Sequence, residues 1–189
     1  MAEYHGWRIA AAFGSEQEEA ALVRQEAGLS DVSWMTKLDL KGSGLDALPA
    51  LSERARSWIL GPSHLLVTCD PESREDVFPV ISSCSGVWVT DVTSVFAQFL
   101  LAGPASRDIL RKSTSLNISE NALPDSGCGQ AAVAHVRTII LRRDLGPLPA
   151  FHLLVSREYG ESVWDSLLHA GREFRITQFG MKALEILGG

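Results

Sequence analysis

The side chains that could bind a metal or move protons are scattered along the 189 residues of this chain. Its five histidines lie far apart and show no metal-ligand spacing: His5, His64, His135, His152 and His169. Two of these, His64 and His152, begin equivalent strand patterns, which favours a structural role over that of a ligand or general base. The sequence therefore predicts no metal site and assigns no catalytic residue.

The three thiols, Cys69, Cys84 and Cys128, are an odd number at unrelated spacings. That pattern argues against a disulfide framework and indicates a reducing compartment, so we expect a cytoplasmic protein. Cys128 lies in a stretch that is predicted to be a flexible loop, without a neighbouring Lys, Arg or His to stabilise a thiolate. Asp125 would disfavour the thiolate, which favours a structural role over a catalytic one.

Acidic residues cluster at the start of the first predicted helix, at Glu16, Glu18 and Glu19. Carboxylates are favoured near a helix N-terminus, so these side chains are predicted to form a solvated first turn. The same helix is predicted to end near Gly28, in the left-handed conformation that glycine favours there. Four tryptophans are predicted to be core residues, with the first as the expected exception: Trp34, Trp58, Trp88 and Trp164.

Composition restricts the function classes. The net charge is −6 and no basic patch stands out, whereas a nucleic-acid partner would need a clustered positive face. No apolar run approaches the roughly 18 residues of a membrane span. The N-terminus shows no basic segment followed by an apolar one, so no signal peptide is expected. The Gly-Ser-Gly at 42–44 is too short for a dinucleotide loop and is predicted to be a turn.

The elements that must position these residues occur in a repeated order. The sequence His-Leu-Leu-Val-Thr at 64–68 returns as His-Leu-Leu-Val-Ser at 152–156, and each copy follows a Gly-Pro pair. Helical patterns alternate with antiparallel hairpins, which is typical of an α+β fold rather than a doubly wound parallel sheet. We therefore predict one domain, residues 1–189, built from two pseudo-repeated split β-α-β units with antiparallel or mixed sheets. The lobes are placed at about 31–93 and 94–178.

Several individual elements follow from the same patterns. A helix is predicted from 70 to 81, with Pro79 shortening or ending it. A long strand is predicted at 132–143, after a polar connection at 113–130, and a short strand at 174–176. An amphipathic helix is predicted at 179–187.

Three stretches of the N-terminal part are distinctive: His-Gly-Trp at 5–7, Phe-Gly-Ser at 13–15, and Glu-Ala-Gly-Leu-Ser-Asp-Val-Ser-Trp-Met at 26–35. Together they resemble the glycine-cleavage T-protein (aminomethyltransferase) family. That family reads Phe-His-Gly-Trp near its start and Gly-Leu-Phe-Asp-Val-Ser-His-Met before its first strand. The stretch Gly-Met-Lys-Ala-Leu-Glu-Ile-Leu-Gly-Gly at 180–189 is similar to that family's Gly-Ala-Arg-Asp-Thr-Leu-Arg-Leu-Glu-Ala-Gly.

The rest of the chain resembles a relative of that family, the gamma subunit of heterotetrameric sarcosine oxidase. The matching segments are 58–66, 90–93, 101–110 and 159–164. The resemblance implies a T-protein-like folate-binding fold with folate in a central funnel, and a role in one-carbon metabolism. Trp34 stands where the T-protein has His, and Lys182 stands near the family's Arg. By that resemblance Trp34, Met35 and Lys182 are the expected tetrahydrofolate contacts.

Two departures from the family bear on mechanism. T-proteins carry Gly-Gly-Val-Ile-Asp-Asp with the essential acid/base Asp, whereas residues 51–58 here read Leu-Ser-Glu-Arg-Ala-Arg-Ser-Trp, and Glu53 is not assigned its role. A positioned acid or base commonly contributes about 10²–10⁴ in rate, so its loss should silence the reaction. T-proteins also carry Tyr-Thr-Gly-Glu and a nearby Glu that holds the pterin, and the corresponding 143–147 is Arg-Asp-Leu-Gly-Pro. Whether the chain is an enzyme therefore stays open.

Three functions are weighed. The first is a non-catalytic subunit of a larger amine-oxidising or aminomethyl-transferring complex, which binds tetrahydrofolate weakly or shares it with a flavoprotein or other partner subunit. The second is a stand-alone tetrahydrofolate-dependent aminomethyltransferase. The third is a folate-dependent iron–sulfur assembly factor, whose Lys-Gly-Cys-aromatic-x-Gly-Gln-Glu signature is reduced here to the Gly, Cys and Gln of 127–130.

Overall fold

A computed structural model describes residues 1–51 and 54–188, which form two compact units. Unit 1 comprises Met1–Ser33 together with the chain from Phe96 onward, and unit 2 comprises Trp34–Val95. The predicted lobes at 31–93 and 94–178 refer to a repeat in the sequence, and that division stays a prediction.

The described chain contains twelve strands and five α-helices. In chain order the strands are β1 (Ala2–Tyr4), β2 (Trp7–Ile9), β3 (Gly28–Asp31), β4 (Thr36–Gly42), β5 (Ala55–Gly61), β6 (His64–Cys69), β7 (Val87–Asp91), β8 (Phe96–Ala102), β9 (Cys128–Val133), β10 (Val136–Arg142), β11 (Ala150–Ser156) and β12 (Thr177–Gln178). The helices are α1 (Glu16–Gln25), α2 (Arg74–Ser82), α3 (Ser106–Arg111), α4 (Gly160–Ala170) and α5 (Met181–Leu187).

Unit 1 is built on a six-stranded sheet in the order β12-β3-β8-β11-β10-β9. The β12–β3 pair is parallel and the other neighbouring pairs are antiparallel. Helix α4 packs against β8 and β11 and presents Val163 and Leu167, four residues apart and therefore on one helix face. These side chains share a core with Phe99, Phe151 and Leu153. Helices α1 and α5 pack against each other.

Unit 2 is a four-stranded antiparallel sheet in the order β5-β6-β4-β7. Alternate residues of a strand point to opposite faces, so Leu38 and Leu40 of β4 lie on the same face. They form a core with Val67 of β6 and with Val77 and Ile81 of α2. The predicted α+β class, with antiparallel and mixed sheets, is confirmed by this architecture.

Helix α2 continues through Pro79 to Ser82, so the prediction that proline shortens or ends it is wrong. Proline removes one backbone hydrogen bond of the helix. Val77 and Ile81 are almost fully buried on the core side of the same turns. Burying two such side chains contributes roughly 1.5–3 kcal/mol each, which offsets that loss.

The strand predicted at 132–143 is two strands, β9 and β10, joined by a turn at Ala134 and His135. Strand β9 begins at Cys128, so the thiol predicted to lie in a flexible loop lies in a strand. The prediction of a strand at 174–176 is wrong. Arg172–Phe174 is a 3-10 turn, Arg175 is left-handed with φ 49°, and the strand follows it as β12.

Gly28 begins β3 and does not end α1 as a left-handed residue. A Cβ atom at this position would lie 2.4 Å from Cγ2 of Val23 and 2.6 Å from Cδ1 of Phe179. Glycine is therefore required by the close approach of two core side chains and not by the backbone conformation.

Candidate functional site

The predicted folate contacts Trp34 and Met35 form the turn that leads into β4 of unit 2, and both are buried. Lys37 follows two residues later and is fully buried, with its Nζ donating to the Met35 carbonyl oxygen at 2.6 Å. A buried ammonium group is costly unless it is hydrogen-bonded, so this contact is an integral part of the turn. Sequence reasoning missed the burial of Lys37, because Lys37, Asp39 and Lys41 alternate with Leu38 and Leu40 in β4 and have the pattern of a solvent-facing side.

The loop after β7 packs beside this turn and fixes a carboxylate. The backbone N–H of Lys37 donates to Thr93 Oγ1 at 3.0 Å, and Asp91 accepts from the Thr93 N–H at 2.9 Å and from Arg74 Nε at 3.1 Å. Burial raises the pKa of Asp91, but the hydrogen bonds from Thr93 and Arg74 outweigh that effect and lower the pKa overall. Asp91 is therefore an ionised structural acceptor.

Unit 1 holds a second polar network, at the segment that carries the T-protein resemblance. Ser33 Oγ donates to Asp31 Oδ1 at 2.5 Å and accepts from the backbone N–H of Gln98 at 3.0 Å. The side-chain nitrogen of Gln98 lies 3.0 Å from Nδ1 of His152. If the amide donates there, the histidine carries its proton on Nε2, an assignment that rests on the hydrogen-bond pattern. His152 is buried in this network, which supports its predicted structural role.

Lys182 lies on α5 of unit 1 with an exposed side chain, and its backbone N–H donates to the Ala11 carbonyl at 3.1 Å. Trp34 and Met35 belong to unit 2, so the three predicted contacts come from different units. That they contact one tetrahydrofolate molecule stays a prediction.

Glu19 corrects the prediction of a fully solvated first turn. It is 5% exposed, and its Oε1 accepts from the backbone N–H groups of Phe13 and Gly14, each at 2.6 Å. Its Oε2 accepts from Gly180 at 2.9 Å, at the residue that precedes α5. Glu18 of the same turn is exposed as predicted. One carboxylate thus joins α1 to the residues just before it and to the start of α5, which is 161 residues away in sequence.

A buried arginine, Arg142, directly precedes residues 143–147, the segment that the sequence resemblance matches to the family's pterin-binding turn. Arg142 is 3% exposed and forms two hydrogen bonds with Asp144, at 3.0 and 2.7 Å. It also donates to the Leu123 carbonyl at 2.9 Å and to Glu120 at 3.0 Å. The Asp144 hydrogen bond is the largest cause that raises the pKa of Arg142. Both Asp144 oxygens therefore accept hydrogen bonds from Arg142, and this pairing takes the place of a contact with a ligand.

His64 is paired across neighbouring strands with a carboxylate. Its Nε2 lies 2.5 Å from Asp39 Oδ1, and Lys41 Nζ lies 3.1 Å from Asp39 Oδ2. The three residues occupy one face of β6 and β4 because His64 and Lys41 are directly opposite in register. This pairing supports the predicted structural role of His64.

None of the three cysteines, all within the described residues, forms a disulfide bond. Burial raises the pKa of Cys69 to about 11 and also raises the pKa of Cys128. A reactive thiol needs a lowered pKa, so the surroundings of Cys128 do not activate it as a nucleophile. The iron–sulfur alternative stays a prediction.

The predictions for the four tryptophans are right for some residues and wrong for others. Trp34 is buried, so its prediction as the exception is wrong. Trp58 is buried as predicted, and its indole N–H donates to Thr68 Oγ1 at 2.9 Å. Trp164 packs edge-on against a core phenylalanine. Trp88 is 70% exposed, so its core assignment is wrong. It lies on β7, which is an edge strand of its sheet within the described residues.

Two further kinds of functional feature are a metal centre and a membrane-spanning helix. Within residues 1–51 and 54–188, no group of three or more His, Cys, Asp or Glu side chains could hold a metal ion. No helix in the described part of the chain is long and apolar enough to cross a membrane. The segment aligned with the family's catalytic Asp contains Ser52 and Glu53, which lie outside the described residues.

Comparison with known proteins gives a consistent result. The family model described as the GCVT N-terminal domain matches residues 58–188. An aminomethyltransferase from Geobacillus thermodenitrificans (strain NG80-2) is 27% identical over 98% of this chain and 58% of its own length. Sarcosine oxidase subunit alpha from Rhizobium meliloti (strain 1021) is 26% identical over 92% of this chain and 21% of its own length. The chain thus spans well under two thirds of both relatives.

Solved structures support the fold. The glycine cleavage system aminomethyltransferase T from Bartonella henselae superimposes with a TM-score of 0.76 at 16% identity, covering 99% of this chain and 57% of that chain. A chain of heterotetrameric sarcosine oxidase from Corynebacterium sp. U-96 gives a TM-score of 0.66 at 19% identity, covering 89% of this chain and 96% of that chain. The family model and the curated relatives confirm the resemblance noted from the sequence, and these structures support the fold.

Proposed function

The chain belongs to the GCVT N-terminal domain family, and we propose that it is a non-catalytic subunit of a larger amine-oxidising or aminomethyl-transferring complex in tetrahydrofolate-linked metabolism. It binds tetrahydrofolate weakly, or together with a flavoprotein or other partner subunit. We place it in the cytoplasm, as its thiol content indicates. Trp34, Met35 and Lys182 are the residues that we propose contact the folate.

The observation that carries this proposal is the commitment of Asp144 to Arg142. In the family that the sequence resembles, a carboxylate near this turn holds the pterin. Here both Asp144 oxygens accept hydrogen bonds from the Arg142 guanidinium, and Asp144 Oδ1 also accepts from the Ala150 N–H at 3.1 Å. A ligand donor buried there without an acceptor would lose about 1–3 kcal/mol, which is roughly 5- to 150-fold in affinity.

The first test is titration of the isolated chain with tetrahydrofolate under reducing conditions, followed by tryptophan fluorescence. We expect no saturation below about 1 mM, which corresponds to binding weaker than roughly 4 kcal/mol. Aminomethyl transfer to tetrahydrofolate should stay at the uncatalysed rate. Micromolar binding together with turnover would contradict the proposal.

The second test asks what the chain associates with in its host. Native mass spectrometry of the untagged protein should show a stable assembly with a flavoprotein or an aminomethyl-transferring subunit. A chain that remains alone at physiological concentration would count against the proposal. This outcome is independent of the affinity of the isolated chain for folate.

The proposed contacts can be tested in that assembly. Trp34→Phe and Lys182→Ala should each weaken tetrahydrofolate binding several-fold. Trp88→Phe and Lys41→Ala are matched controls, because Trp88 and Lys41 are 70% and 63% exposed and are not proposed contacts. Equal losses in all four variants would remove the assignment of the folate contacts.

A stand-alone aminomethyltransferase is the second candidate. It is favoured by the aminomethyltransferase that matches 98% of this chain at 27% identity. It predicts turnover by the isolated chain with tetrahydrofolate and an aminomethyl donor. The same kinetic assay therefore separates the two candidates.

A further inference from the structure

Unit 1 contains an open cleft of about 1130 Å³ that the proposed function does not use. Its walls are the chain that follows α3 (residues 112–115), the β9–β10 turn, and the C-terminal half of α4 with the residues that follow it. Four lining side chains carry nitrogen donors, namely Lys112, His135, His169 and Arg172. Residues 113–115 add three hydroxyl side chains, and Asp165 is the lining carboxylate.

The cleft walls are tied to one another through hydrogen bonds. Lys112 Nζ donates to the Ala170 carbonyl at 3.1 Å, at the end of α4, and pairs with Glu173. On the opposite wall the Ala134 N–H donates to the Ser113 carbonyl at 2.9 Å. These contacts fix the spacing of the walls before any ligand enters, which lowers the ordering cost of binding.

The turn that carries His135 is conformationally strained. Ala134 and His135 have φ values of 49° and 68°, in the left-handed region where a side chain clashes with its own backbone. A two-residue hairpin turn with positive φ at both positions normally takes Asn-Gly or a similar pair. Strain of this kind costs of the order of 1–3 kcal/mol and is concentrated at functional sites. The strained turn lines the cleft. Contact between the His135 side chain and a ligand would explain why this position carries a histidine and not a glycine.

We propose that this cleft binds a phosphate monoester of a small polyol. Guanidinium, imidazole and hydroxyl groups are donors, and a phosphate group presents three acceptor oxygens. Arg172 and His135 are assigned to the phosphate. Asp165 would repel a bare anion but accepts hydrogen bonds from the ligand's hydroxyl groups, which is why we assign an ester and not inorganic phosphate. This site is independent of tetrahydrofolate and of the proposed function.

The test is a calorimetric titration of the full chain with glycerol 3-phosphate, inorganic phosphate and glycerol. Glycerol 3-phosphate should saturate the protein at millimolar concentration or below, with inorganic phosphate weaker and glycerol without effect. No binding of the ester up to about 10 mM, which is near 3 kcal/mol, would overturn the proposal. Equal affinities for the ester and inorganic phosphate would overturn the assignment of the ester.

Two glycine variants of the same turn form a matched pair. Ala134→Gly and His135→Gly both relieve a positive φ, so each should raise the Tm by roughly 2–4 °C. His135→Gly should also weaken glycerol 3-phosphate binding about tenfold, whereas Ala134→Gly should leave it unchanged. Because both variants gain stability, a loss of binding cannot be ascribed to unfolding. Binding that is equal in the two variants would exclude His135 from the site.

The arginine assignment has its own control. Arg172→Gln should weaken ester binding about tenfold by removing a charged, bidentate donor. Arg137→Gln changes an exposed arginine of β10 that does not line the cleft, and binding should not change. If both variants lose affinity equally, the attraction is a general effect of charge and the cleft is not the site.

Discussion

Glu19 offers a sharp test of what holds unit 1 together. Its carboxylate accepts three backbone N–H groups, from Phe13 and Gly14 at 2.6 Å and from Gly180 at 2.9 Å. The substitution Glu19→Gln preserves size and helix propensity but replaces one oxygen by an NH₂ group. That NH₂ group must face a backbone N–H, so at least one hydrogen bond is lost and two donors oppose each other.

The size of the effect follows from these contacts. A hydrogen bond to a charged acceptor contributes about 1.5–3 kcal/mol, and an unsatisfied buried N–H costs about 1–3 kcal/mol. We expect Glu19→Gln to lower the free energy of unfolding by about 3 kcal/mol. For a chain of this length that lowers the Tm by roughly 6–12 °C. Glu18→Gln changes an exposed carboxyl of the same helical turn and should stay within about 0.5 kcal/mol of the unsubstituted chain.

The assay combines urea unfolding with amide hydrogen exchange. Unfolding gives the free-energy difference between the two glutamine variants, and the two units are fitted as separate transitions if they do not coincide. Hydrogen exchange reports directly on Phe13, Gly14 and Gly180, whose protection should fall in Glu19→Gln and not in Glu18→Gln. If the two variants unfold at the same urea concentration with the same exchange pattern, the reasoning from Glu19 burial is refuted.

Two further predictions concern buried ionisable groups. Arg142→Gln leaves Asp144 without its partner and should lower the free energy of unfolding by about 3–5 kcal/mol, as measured by urea unfolding, whereas Arg137→Gln on the same strand should change it little. Burial raises the pKa of Cys69 from 9.0 to about 11, so between these pH values the folded state keeps a proton that the unfolded chain loses. Stability from this group is therefore complete below pH 9 and is lost as the pH rises towards 11, by up to roughly 2–3 kcal/mol. Cys69→Ala should flatten that part of the pH–stability profile, and an unchanged slope would contradict the assignment.

The sequence predicted the fold class because strand alternation and helix spacing are local properties. Leu38 and Leu40 are two residues apart and face the same core, as alternation requires. Glu19 was misjudged because its hydrogen-bond donors, Phe13 and Gly180, come from segments more than 150 residues apart, which a helical pattern does not reveal. The turn at Ala134 and His135 was missed because neither residue is the Gly, Asn or Asp that marks such turns.

The site was predicted less completely, for a related reason. The motif at 26–35 identified Trp34 and Met35, but burial of Lys37 depends on how β4, the preceding turn and the loop after β7 pack. The segment 143–147 showed that a family carboxylate was absent. It could not show that Asp144 had instead become the partner of a buried Arg142. Side-chain partners from distant segments are fixed by tertiary structure, which the residue pattern does not specify.

Three carboxylates of the described chain hold the fold through different kinds of donor. Asp91 accepts from the Thr93 N–H and from Arg74, and these hydrogen bonds lower its pKa against the effect of burial. Asp144 accepts two hydrogen bonds from the Arg142 guanidinium, and Glu19 accepts three backbone N–H groups. In the sequence each of them is only a charged residue, and its structural use follows from donors that the fold brings to it.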